Sequence, residues 1–489
     1  METDKDTIRA TTGLHGLDRI LNGLRLGDNV VWRVDTVDDY REFVKPFVQA
    51  ALAEGKRVVY CRFAQHEPLV AEAQGVAVYN LDAYRGFESF TTRLHAIIGQ
   101  EGAGVYYVFD CLSELLDAWA TDAMIGNFFV VTCPYLYELD TVAYFALLRD
   151  HHSFKTVARV RDTTQLLVDL YNQDGTLYLH PLKVWQRFTP TMFLPHLRRG
   201  EEFTPISSSY DATNLFMNLQ RRGPEGAERH LDHWDLLFMK AAVISDLSAS
   251  GTQQQAMVDQ LCRILIGRET RILSLARSYF TLSDLLKIKS RLIGTGFIGG
   301  KAVGMLLARK MLTSDRTCNW RELMEPHDSW YVGSDIFYSY VVHNGLWRLL
   351  LEQKSAEGYF STAARVRESL LHGSFPEETR EEFRNMLEYF GQYPIIVRSS
   401  SLLEDGFGNA FAGKYDSFFC VNQGSPEERY RQFEDAVRKI FASMMSDDAL
   451  TYRRQRGLDQ QDEQMALLVQ RVSGAHHGRY FFPDLAGVA

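Results

Sequence analysis

The chain is poor in cysteine, and the cysteines that it has are not arranged in pairs. Six occur in 489 residues, and none is part of a C-x-x-C motif: Cys61, Cys111, Cys133, Cys262, Cys318 and Cys420. A disulfide framework or a structural zinc site needs cysteines that cluster in the sequence. We therefore expect free thiols in a reducing compartment, with each thiol serving as a small buried apolar side chain.

Long apolar runs and blocks of positive charge are also missing. The longest apolar stretches, such as residues 128–137, are shorter than the ~18–20 residues that a membrane span needs. Residues 1–6 are charged and lead into no apolar signal core, so a cytoplasmic protein is expected. The formal net charge is -9, and Lys and Arg are spread along the chain. Neither a membrane nor nucleic acid is therefore expected as the main partner.

The composition is that of a globular protein, with 46% hydrophobic and 24% charged residues, and the length suggests about three domains. In residues 1–200, apolar β-rich runs alternate with helical patterns, which predicts an α/β domain with a parallel sheet and crossover helices. A helix is expected at residues 40–53, and strands are expected at 29–34, 57–63, 76–81, 104–110, 154–171 and 176–184.

The rest of the chain divides into two further parts. Residues 201–226 contain Pro205, three consecutive serines and the sequence Arg222-Gly223-Pro224, which is typical of a linker. A helical pattern follows, so we predict a linker and helical connector over residues 201–290. Residues 291–489 return to mixed α and β patterns with several Gly-rich turns, which predicts an α+β domain.

A glycine-rich segment in the third part precedes a predicted helix. It runs from Gly294 to Gly304 and includes Gly299, Gly300 and Lys301. Glycines at a helix N-terminus let backbone N–H groups approach a phosphate, and a lysine adds a mobile cation. Ala302 follows the lysine, so the segment is not a Walker A loop. A plain glycine-rich turn with a solvated lysine explains the same residues.

A second segment combines an arginine with a run of hydroxyl groups. An apolar strand, Pro394-Ile-Ile-Val, leads to Arg398, three serines from Ser399 to Ser401, and a Gly-rich continuation to Lys414. Arginine can bond phosphate through two N–H groups, and serine hydroxyls can hold the remaining oxygens. The alternative is a strand end with capping serines and a hairpin loop.

Taken in order, these segments resemble the ATP-binding domain of phosphoenolpyruvate synthase and pyruvate, phosphate dikinase, which has an ATP-grasp fold. The resemblance covers about 200 residues. Its motifs here are Gly299-Gly300-Lys301, then Val397-Arg398-Ser399-Ser400 with Glu404-Asp405 and Phe411-Ala412-Gly413, then the strand from Met465 to Val472.

The resemblance implies a kinase-type phosphotransferase that binds ATP and Mg²⁺. Lys301 and Arg398 match catalytic residues that contact the ATP phosphates, beside Gly299 and Gly300 of the glycine-rich turn. Ser399, Ser400 and the loop that ends at Gly413 match a flexible lid, and Gln470 matches the strand that leads to the adenine. In this family the phosphoryl group passes to a histidine on a separate domain.

This sequence departs from the family pattern in several places. No Gly-rich turn with a T/S-H-A motif is present for a phosphohistidine, and His476-His477 stands in a different context. Lys414 stands where relatives often have glutamine. The acidic metal ligands of the second ATP-grasp half would lie beyond Ala489, so the metal ligands stay unassigned. We therefore predict a partial ATP-grasp domain whose phosphohistidine partner lies on another domain or protein.

The N-terminal part resembles RecA/KaiC-type ATPases. Residues 12–27 are similar to their T-G-I-x-G-L-D entry motif, and the strand that ends at Asp110 is similar to their Walker B strand. Where the phosphate loop is expected, the chain has Asp35, Asp38 and Asp39 and lacks glycine and lysine. Carboxylates repel a triphosphate, so we interpret this as a RecA-like domain that no longer hydrolyses ATP. Such domains associate side by side, which suggests a homo-oligomer.

Two functions remain open from the sequence. The first is an ATP-dependent phosphotransferase of the phosphoenolpyruvate synthase type, which the pair of Lys301 and Arg398 favours. The second is a non-catalytic regulatory or scaffold protein, which the altered N-terminal loop and the missing partner motifs favour.

Overall fold

A computed structural model of the chain describes residues 9–222, 231–246, 251–404 and 413–485, and the side chains of residues 220–222 are outside this description. The chain divides into two compact units, Met1–Leu236 and Leu237–Ala489. In the described ranges, no helix is both long enough and apolar enough to cross a membrane.

The first unit is built on a nine-stranded sheet. Its strands and a small separate pair are β1 (Arg9–Ala10), β2 (Leu24–Arg25), β3 (Asn29–Val34), β4 (Val58–Arg62), β5 (Val76–Asn80), β6 (Tyr106–Cys111), β7 (Val142–Leu148), β8 (Leu166–Gln173), β9 (Thr176–Val184), β10 (His196–Arg199) and β11 (Glu202–Pro205). The strand order is β11-β10-β9-β8-β3-β7-β6-β4-β5. The six strands from β8 to β5 are parallel, and β9, β10 and β11 extend the sheet by antiparallel pairing.

Helices alternate with most of the parallel strands, as the sequence pattern predicts. They are α1 (His15–Leu21), α2 (Val37–Ala53), α3 (Phe87–Glu101), α4 (Leu116–Trp119), α5 (Ala123–Glu138), α6 (Phe154–Thr163) and α7 (Ser209–Arg222), with short 3₁₀ turns at Ala83–Arg85 and Leu112–Leu115. Of these helices, α1 and α7 lie outside the connections between parallel strands. The predicted parallel α/β sheet is thus confirmed, while the resemblance to RecA/KaiC-type ATPases stays a prediction.

Helix α2 shows how the core of the first unit forms. Phe43 stacks on Trp32 of β3 with ring centroids 4.7 Å apart, and Phe47 stacks on Tyr144 of β7 at 3.9 Å. The helix was expected at residues 40–53 and begins three residues earlier, at Val37. The reason is a capping box, in which Thr36 and Asp39 each accept a hydrogen bond from the other's backbone N–H.

Two sequence predictions in the first unit are wrong. Residues 154–171 were expected to be one strand, but they form α6 followed by most of β8. Ser153 accepts a hydrogen bond from the N–H of Thr156 and starts a helix, which the long apolar run of β8 masks in the sequence. The polar segment from residue 201 is not an open linker, because Gly200, with φ +65°, closes a hairpin between β10 and β11, and α7 follows.

The second unit combines helices with a five-stranded sheet. Helix α8 (His233–Asp246) contains the point of division, and the further helices are α9 (Gly251–Leu265), α10 (Thr270–Tyr279), α11 (Leu282–Lys289), α12 (Gly300–Ser314), α13 (Trp320–Leu323), α14 (Ser334–His343), α15 (Trp347–Lys354), α16 (Gly358–Ser361), α17 (Ala363–His372), α18 (Glu377–Phe390), α19 (Pro426–Ser443) and α20 (Asp447–Gln455). Helices α8 to α11 confirm the helical pattern predicted before residue 290.

The sheet of the second unit positions the predicted site. Its strands are β12 (Leu292–Ile293), β13 (Ser329–Val332), β14 (Ile395–Ser399), β15 (Ser417–Cys420) and β16 (Leu467–Arg471), and a separate hairpin is formed by β17 (Ala475–His477) and β18 (Tyr480–Phe482). The order is β12-β13-β16-β14-β15, and every neighbouring pair except β12 and β13 is antiparallel. Strand β14, which carries Arg398, therefore lies between β16 and β15.

Candidate functional site

The glycine-rich turn packs tightly against the end of β14. Gly299 precedes α12 with φ +80°, and a Cβ atom there would lie 1.3 Å from the carbonyl oxygen of Ser400. At Gly300 a Cβ atom would lie 2.0 Å from the carbonyl oxygen of Glu404. The N–H of Gly300 already donates to the carbonyl of Ser401, at 3.0 Å. These two glycines therefore permit close contact between two backbone segments, and their predicted contact with phosphate stays a prediction.

Lys301, in the first turn of α12, reaches back to the residues that follow β14. Its Nζ donates to Oγ of Ser399 at 2.9 Å and to Oε1 of Glu404 at 2.5 Å. Its side chain is 19% exposed, so it is not the freely solvated lysine of the alternative interpretation. The lysine is held in place and still has an accessible side.

Glu404 is the buried partner of this lysine. It is 1% exposed, and it accepts hydrogen bonds from Ser399 Oγ at 3.0 Å and from the N–H of Ser401 at 3.0 Å. Burial raises the pKa of Glu404, and the charge of Lys301 and these hydrogen bonds only partly offset that effect. The sequence motif contained Glu404, but its pairing with Lys301 was not predicted.

Ser399 and Ser400 are buried parts of the site. Both are fully buried, and Ser399 is the last residue of β14. Ser400 Oγ donates to the carbonyl of Ile298 at 2.9 Å and accepts from the N–H of Ala302 at 3.1 Å. Their hydroxyl groups join the end of β14 to the start of α12, and their predicted place in a flexible lid stays a prediction.

A second buried ion pair supports the same turn. Ser401 Oγ lies 2.6 Å from Oε1 of Glu463, and Oε2 of Glu463 lies 3.2 Å from Nη1 of Arg453. Glu463 and Arg453 are 2% and 1% exposed. Glu463, 62 positions further along the chain, thus holds the serine turn, and no motif in the sequence indicated this network.

Arg398 lies beside this cluster but is not part of it. The residue is partly exposed, and its side chain makes no hydrogen bond or ion pair with the residues that the structure describes. Because side chains alternate along a strand, Arg398 and Ser399 leave β14 on opposite faces. The carboxyl end of β14 therefore carries Ser399, which Lys301 contacts, and next to it an arginine that is available for a ligand.

Gln470 shares a sheet face with Arg398. In the register of β14 and β16, Arg398 pairs with Leu468 and Ile396 pairs with Gln470, so the two polar residues are diagonal neighbours, about 7–8 Å apart in such a pairing. Gln470 Nε2 donates to Ser329 Oγ at 3.1 Å and lies 3.2 Å from Sδ of Met305. Since Met305 follows Lys301 by one helical turn, α12 runs along this face from the predicted phosphate residues to the predicted adenine residue.

The predicted lid lies largely outside the described residues, which stop at Glu404 and resume at Gly413. Gly413 itself has φ +70° and open space at its Cβ position, and the ammonium group of Lys414 lies 5.9 Å from the ring centroid of Tyr452. Within the described ranges, no group of three or more His, Cys, Asp or Glu side chains could hold a metal ion. We therefore assign no protein ligand to Mg²⁺.

In the first unit, the three aspartates at the expected phosphate loop have partners of their own. Asp35 accepts from Nε of Arg149 at 2.7 Å and from the N–H of Asn172 at 2.8 Å. Asp39 forms the capping box of α2, and Asp38 pairs with Arg41 at 3.2 Å. An ion pair and a helix cap thus occupy the place where a phosphate loop would present its amides.

Asp110, at the end of the strand that resembles a Walker B strand, is also tied into its surroundings. It is fully buried, it accepts from the N–H groups of Phe63 and Ala64 at 2.9 Å each, and Tyr60 donates its hydroxyl to the same carboxylate. These contacts support its interpretation as a structural strand-end residue.

Comparison with known proteins identifies a family match in the second unit. Residues 295–489 match the family described as pyruvate phosphate dikinase, AMP/ATP-binding domain. This match confirms the prediction of an ATP-binding domain of that type in the C-terminal region.

Individual relatives match only over part of their length. The chain is 27% identical over 146 residues to a rifampicin phosphotransferase of Bacillus cereus, which is 30% of this chain and 15% of the relative. It is 30% identical over 123 residues to a rifampicin phosphotransferase of a Streptomyces species, covering 25% and 14%. It is 27% identical over 121 residues to the phosphoenolpyruvate synthase of Pseudomonas aeruginosa, covering 24% and 14%. The chain thus spans about a seventh of the length of these relatives.

Proposed function

We propose that the second unit binds MgATP at the carboxyl end of β14 and takes part in a phosphotransferase reaction. The observation that carries this proposal is the placement of Lys301 and Arg398 at the same strand end, where Lys301 contacts Ser399, the neighbour of Arg398. One cation is held by a buried carboxylate, and the other has no partner among the described residues. The match of residues 295–489 to an AMP/ATP-binding domain supports the same conclusion.

The roles of the individual residues follow from their chemistry. Arg398 would bond phosphate oxygens through two N–H groups, and Lys301 would neutralise charge beside it while Glu404 holds it in position. Gln470 and Met305, which touch each other, would line the adenine end of the same sheet face. ATP would supply the phosphoryl group, and these residues would bind and orient it. Such a reaction depends on positioning and charge neutralisation more than on a protein nucleophile.

The phosphoryl acceptor is proposed from the resemblance alone. It would be a histidine, as in the family, and it would lie on a separate domain or protein, since this sequence contains no T/S-H-A turn. The relatives are named for two different reactions, rifampicin phosphotransferase and phosphoenolpyruvate synthase, so we assign no final substrate.

A second candidate is a regulatory or scaffold protein that binds no nucleotide. The arrangement in the first unit favours it, because the place of the phosphate loop is filled by the pair of Asp35 and Arg149 and by the cap of α2. This candidate differs from the first in predicting that neither unit binds MgATP.

Calorimetric titration with MgATP separates the two candidates. The unchanged chain is compared with Arg398→Gln and with Arg367→Gln, which removes an exposed arginine of α17 that makes no hydrogen bond or ion pair with the described residues. We expect Arg398→Gln to weaken binding by about 10- to 100-fold, the effect of losing a charged hydrogen bond, and Arg367→Gln to have no effect. Absence of MgATP binding to the unchanged chain, or equal binding by Arg398→Gln, would contradict the proposal.

A further inference from the structure

The second unit contains a cationic cavity that includes neither Lys301 nor Arg398 of the proposed ATP site. It has a volume of about 610 Å³ and lies between α11, α12, α13 and the start of β13. Its wall includes the apolar side chains of Phe280, Ile288, Leu306 and Tyr331. This volume is in the range of small-molecule sites, which measure about 300–1,000 Å³ and combine apolar walls with a few polar groups.

Positive charge dominates the cavity wall in a chain whose net charge is -9. Two acidic residues line it, Asp284 and Asp328, against five basic ones: Lys287, Arg291, Arg309, Lys310 and Arg321. The formal charge of the wall is therefore +3 before His327, which also lines it, is considered.

The two carboxylates neutralise only part of this charge. Asp284 lies 2.6 Å from Nζ of Lys310, and Asp328 is shared between Arg291 at 3.6 Å and Arg471 at 2.8 Å. Each carboxylate is thus already committed to at least one cation.

Three cations from three different helices are left without a carboxylate. The side chains of Lys287 of α11 and Arg321 of α13 make no hydrogen bond or ion pair with the described residues. Arg309 of α12 donates only to the carbonyl oxygen of Glu325, at 2.9 Å. Burial lowers the pKa of His327, and the nearby charge of Arg309 adds to this effect while Asp328 opposes it.

The cavity is separate from the proposed phosphate residues, and it borders the proposed adenine end at Ser329, which accepts a hydrogen bond from Gln470. Arg309 follows Lys301 by eight residues, which corresponds to about 12 Å along a helix axis. The four residues of α12 that line the cavity are Leu306, Arg309, Lys310 and Thr313. Each residue of a helix is rotated by about 100° from the one before it. The mean direction of these four side chains is therefore about 130° around the helix axis from the side chain of Lys301.

We propose that this cavity binds a small metabolite that carries a phosphate monoester. The three cations without carboxylate partners would hold the dianionic phosphate, and the apolar wall from Phe280 to Tyr331 would receive the organic part. Because α11 precedes the sheet and α12 carries Lys301, such a ligand would bridge the connector helix and the helix of the ATP site. This proposal does not depend on ATP binding at Lys301 and Arg398.

Phenyl phosphate serves as the test ligand, with inorganic phosphate and phenol as its two halves. Binding to the full chain is measured by calorimetry at low ionic strength. The cavity variant is Lys287→Gln with Arg321→Gln, which removes two exposed cations. The matched control is Lys240→Gln with Arg367→Gln, two exposed cations that lie outside the cavity wall and make no hydrogen bond or ion pair with the described residues. Thermal unfolding of each variant checks that the fold is retained.

We expect phenyl phosphate to bind more tightly than either half, and the cavity variant to lose at least about ten-fold in affinity. The control variant should bind as the unchanged chain does, and the cavity variant should keep its affinity for MgATP. An equal loss of phenyl phosphate affinity in the control variant would overturn the proposal. Binding would then depend on the overall positive charge and not on the cations of the cavity. Absence of binding, or loss of phenyl phosphate binding in Arg398→Gln, would also overturn it, the latter by placing the ligand at the ATP site.

Discussion

Lys301 Nζ lies 2.5 Å from Oε1 of Glu404, a carboxylate that is 1% exposed and that belongs to the turn after β14. This contact joins the first turn of α12 to the strand that carries Arg398. A cation in the proposed site is thus also one half of a partly buried ion pair, so its removal affects both binding and stability.

We predict that Lys301→Met destabilises the second unit by about 3–5 kcal/mol, because Glu404 is left charged and buried without its partner. The double variant Lys301→Met with Glu404→Gln should recover most of this loss. Denaturant unfolding of the two single variants and the double variant measures the coupling.

Lys439 provides the matched control, because it lies 2.6 Å from Asp435 but in an exposed pair. Lys439→Met should cost no more than about 1 kcal/mol. Equal losses for Lys301→Met and Lys439→Met would mean that burial of Glu404 does not determine the strength of the pair.

A second prediction concerns the pH dependence of stability. The pKa of Glu404 is raised in the folded chain, so in the window between 4.5, its ordinary value, and the raised value the folded state holds more protons than the unfolded state. In that window the contribution of Glu404 to the free energy of unfolding becomes less favourable as the pH rises, by at most about 1.4 kcal/mol per pH unit.

Glu404→Gln is the reference for this measurement. We expect the stability of the unchanged chain, relative to that of Glu404→Gln, to increase as the pH falls towards 4.5. A difference that decreases over the same interval would show that Lys301 and the serine hydrogen bonds outweigh the cost of burial.

Local sequence patterns predicted the elements that carry the site, but not the contacts between them. The glycine-rich turn before α12 and the apolar strand before Arg398 are local signals, and the structure contains both elements. The ion pair between Arg453 and Glu463, and the contact of Gln470 with Ser329 across 141 residues, depend on strand register and tertiary packing. A single sequence does not encode these contacts in any local spacing.

The wrong predictions have the same origin. The run of residues 166–171 is buried and apolar enough to extend a predicted strand backwards over α6, whose capping serine is a weaker signal than the hydrophobic pattern. At residues 201–226, polar composition suggested a linker, although a hairpin at the edge of a sheet and an exposed helix have the same composition.

The two glycines before and within α12 should respond in opposite ways to the same substitution. Gly299→Ala places a methyl group against the carbonyl oxygen of Ser400 at a residue with φ +80°, so we expect a loss of more than about 3 kcal/mol or failure of the second unit to fold. Gly304→Ala has nothing within 4 Å of the added atom and lies inside the helix, so it should gain about 0.5–1 kcal/mol. Thermal unfolding of both variants tests this, and similar midpoints would contradict the close packing of the turn.

The aspartate at the expected phosphate loop of the first unit should affect folding and not nucleotide binding. Asp35→Asn removes the charge that accepts the hydrogen bond of Arg149, a side chain that is 16% exposed, so a loss of about 1–3 kcal/mol is expected. Asp38→Asn is the control, because Asp38 is 87% exposed, and its effect should stay within about 0.5 kcal/mol. Calorimetry should give the same MgATP affinity for both variants and the unchanged chain. A changed affinity in Asp35→Asn alone would locate nucleotide binding in the first unit and would require a different role for its carboxylates.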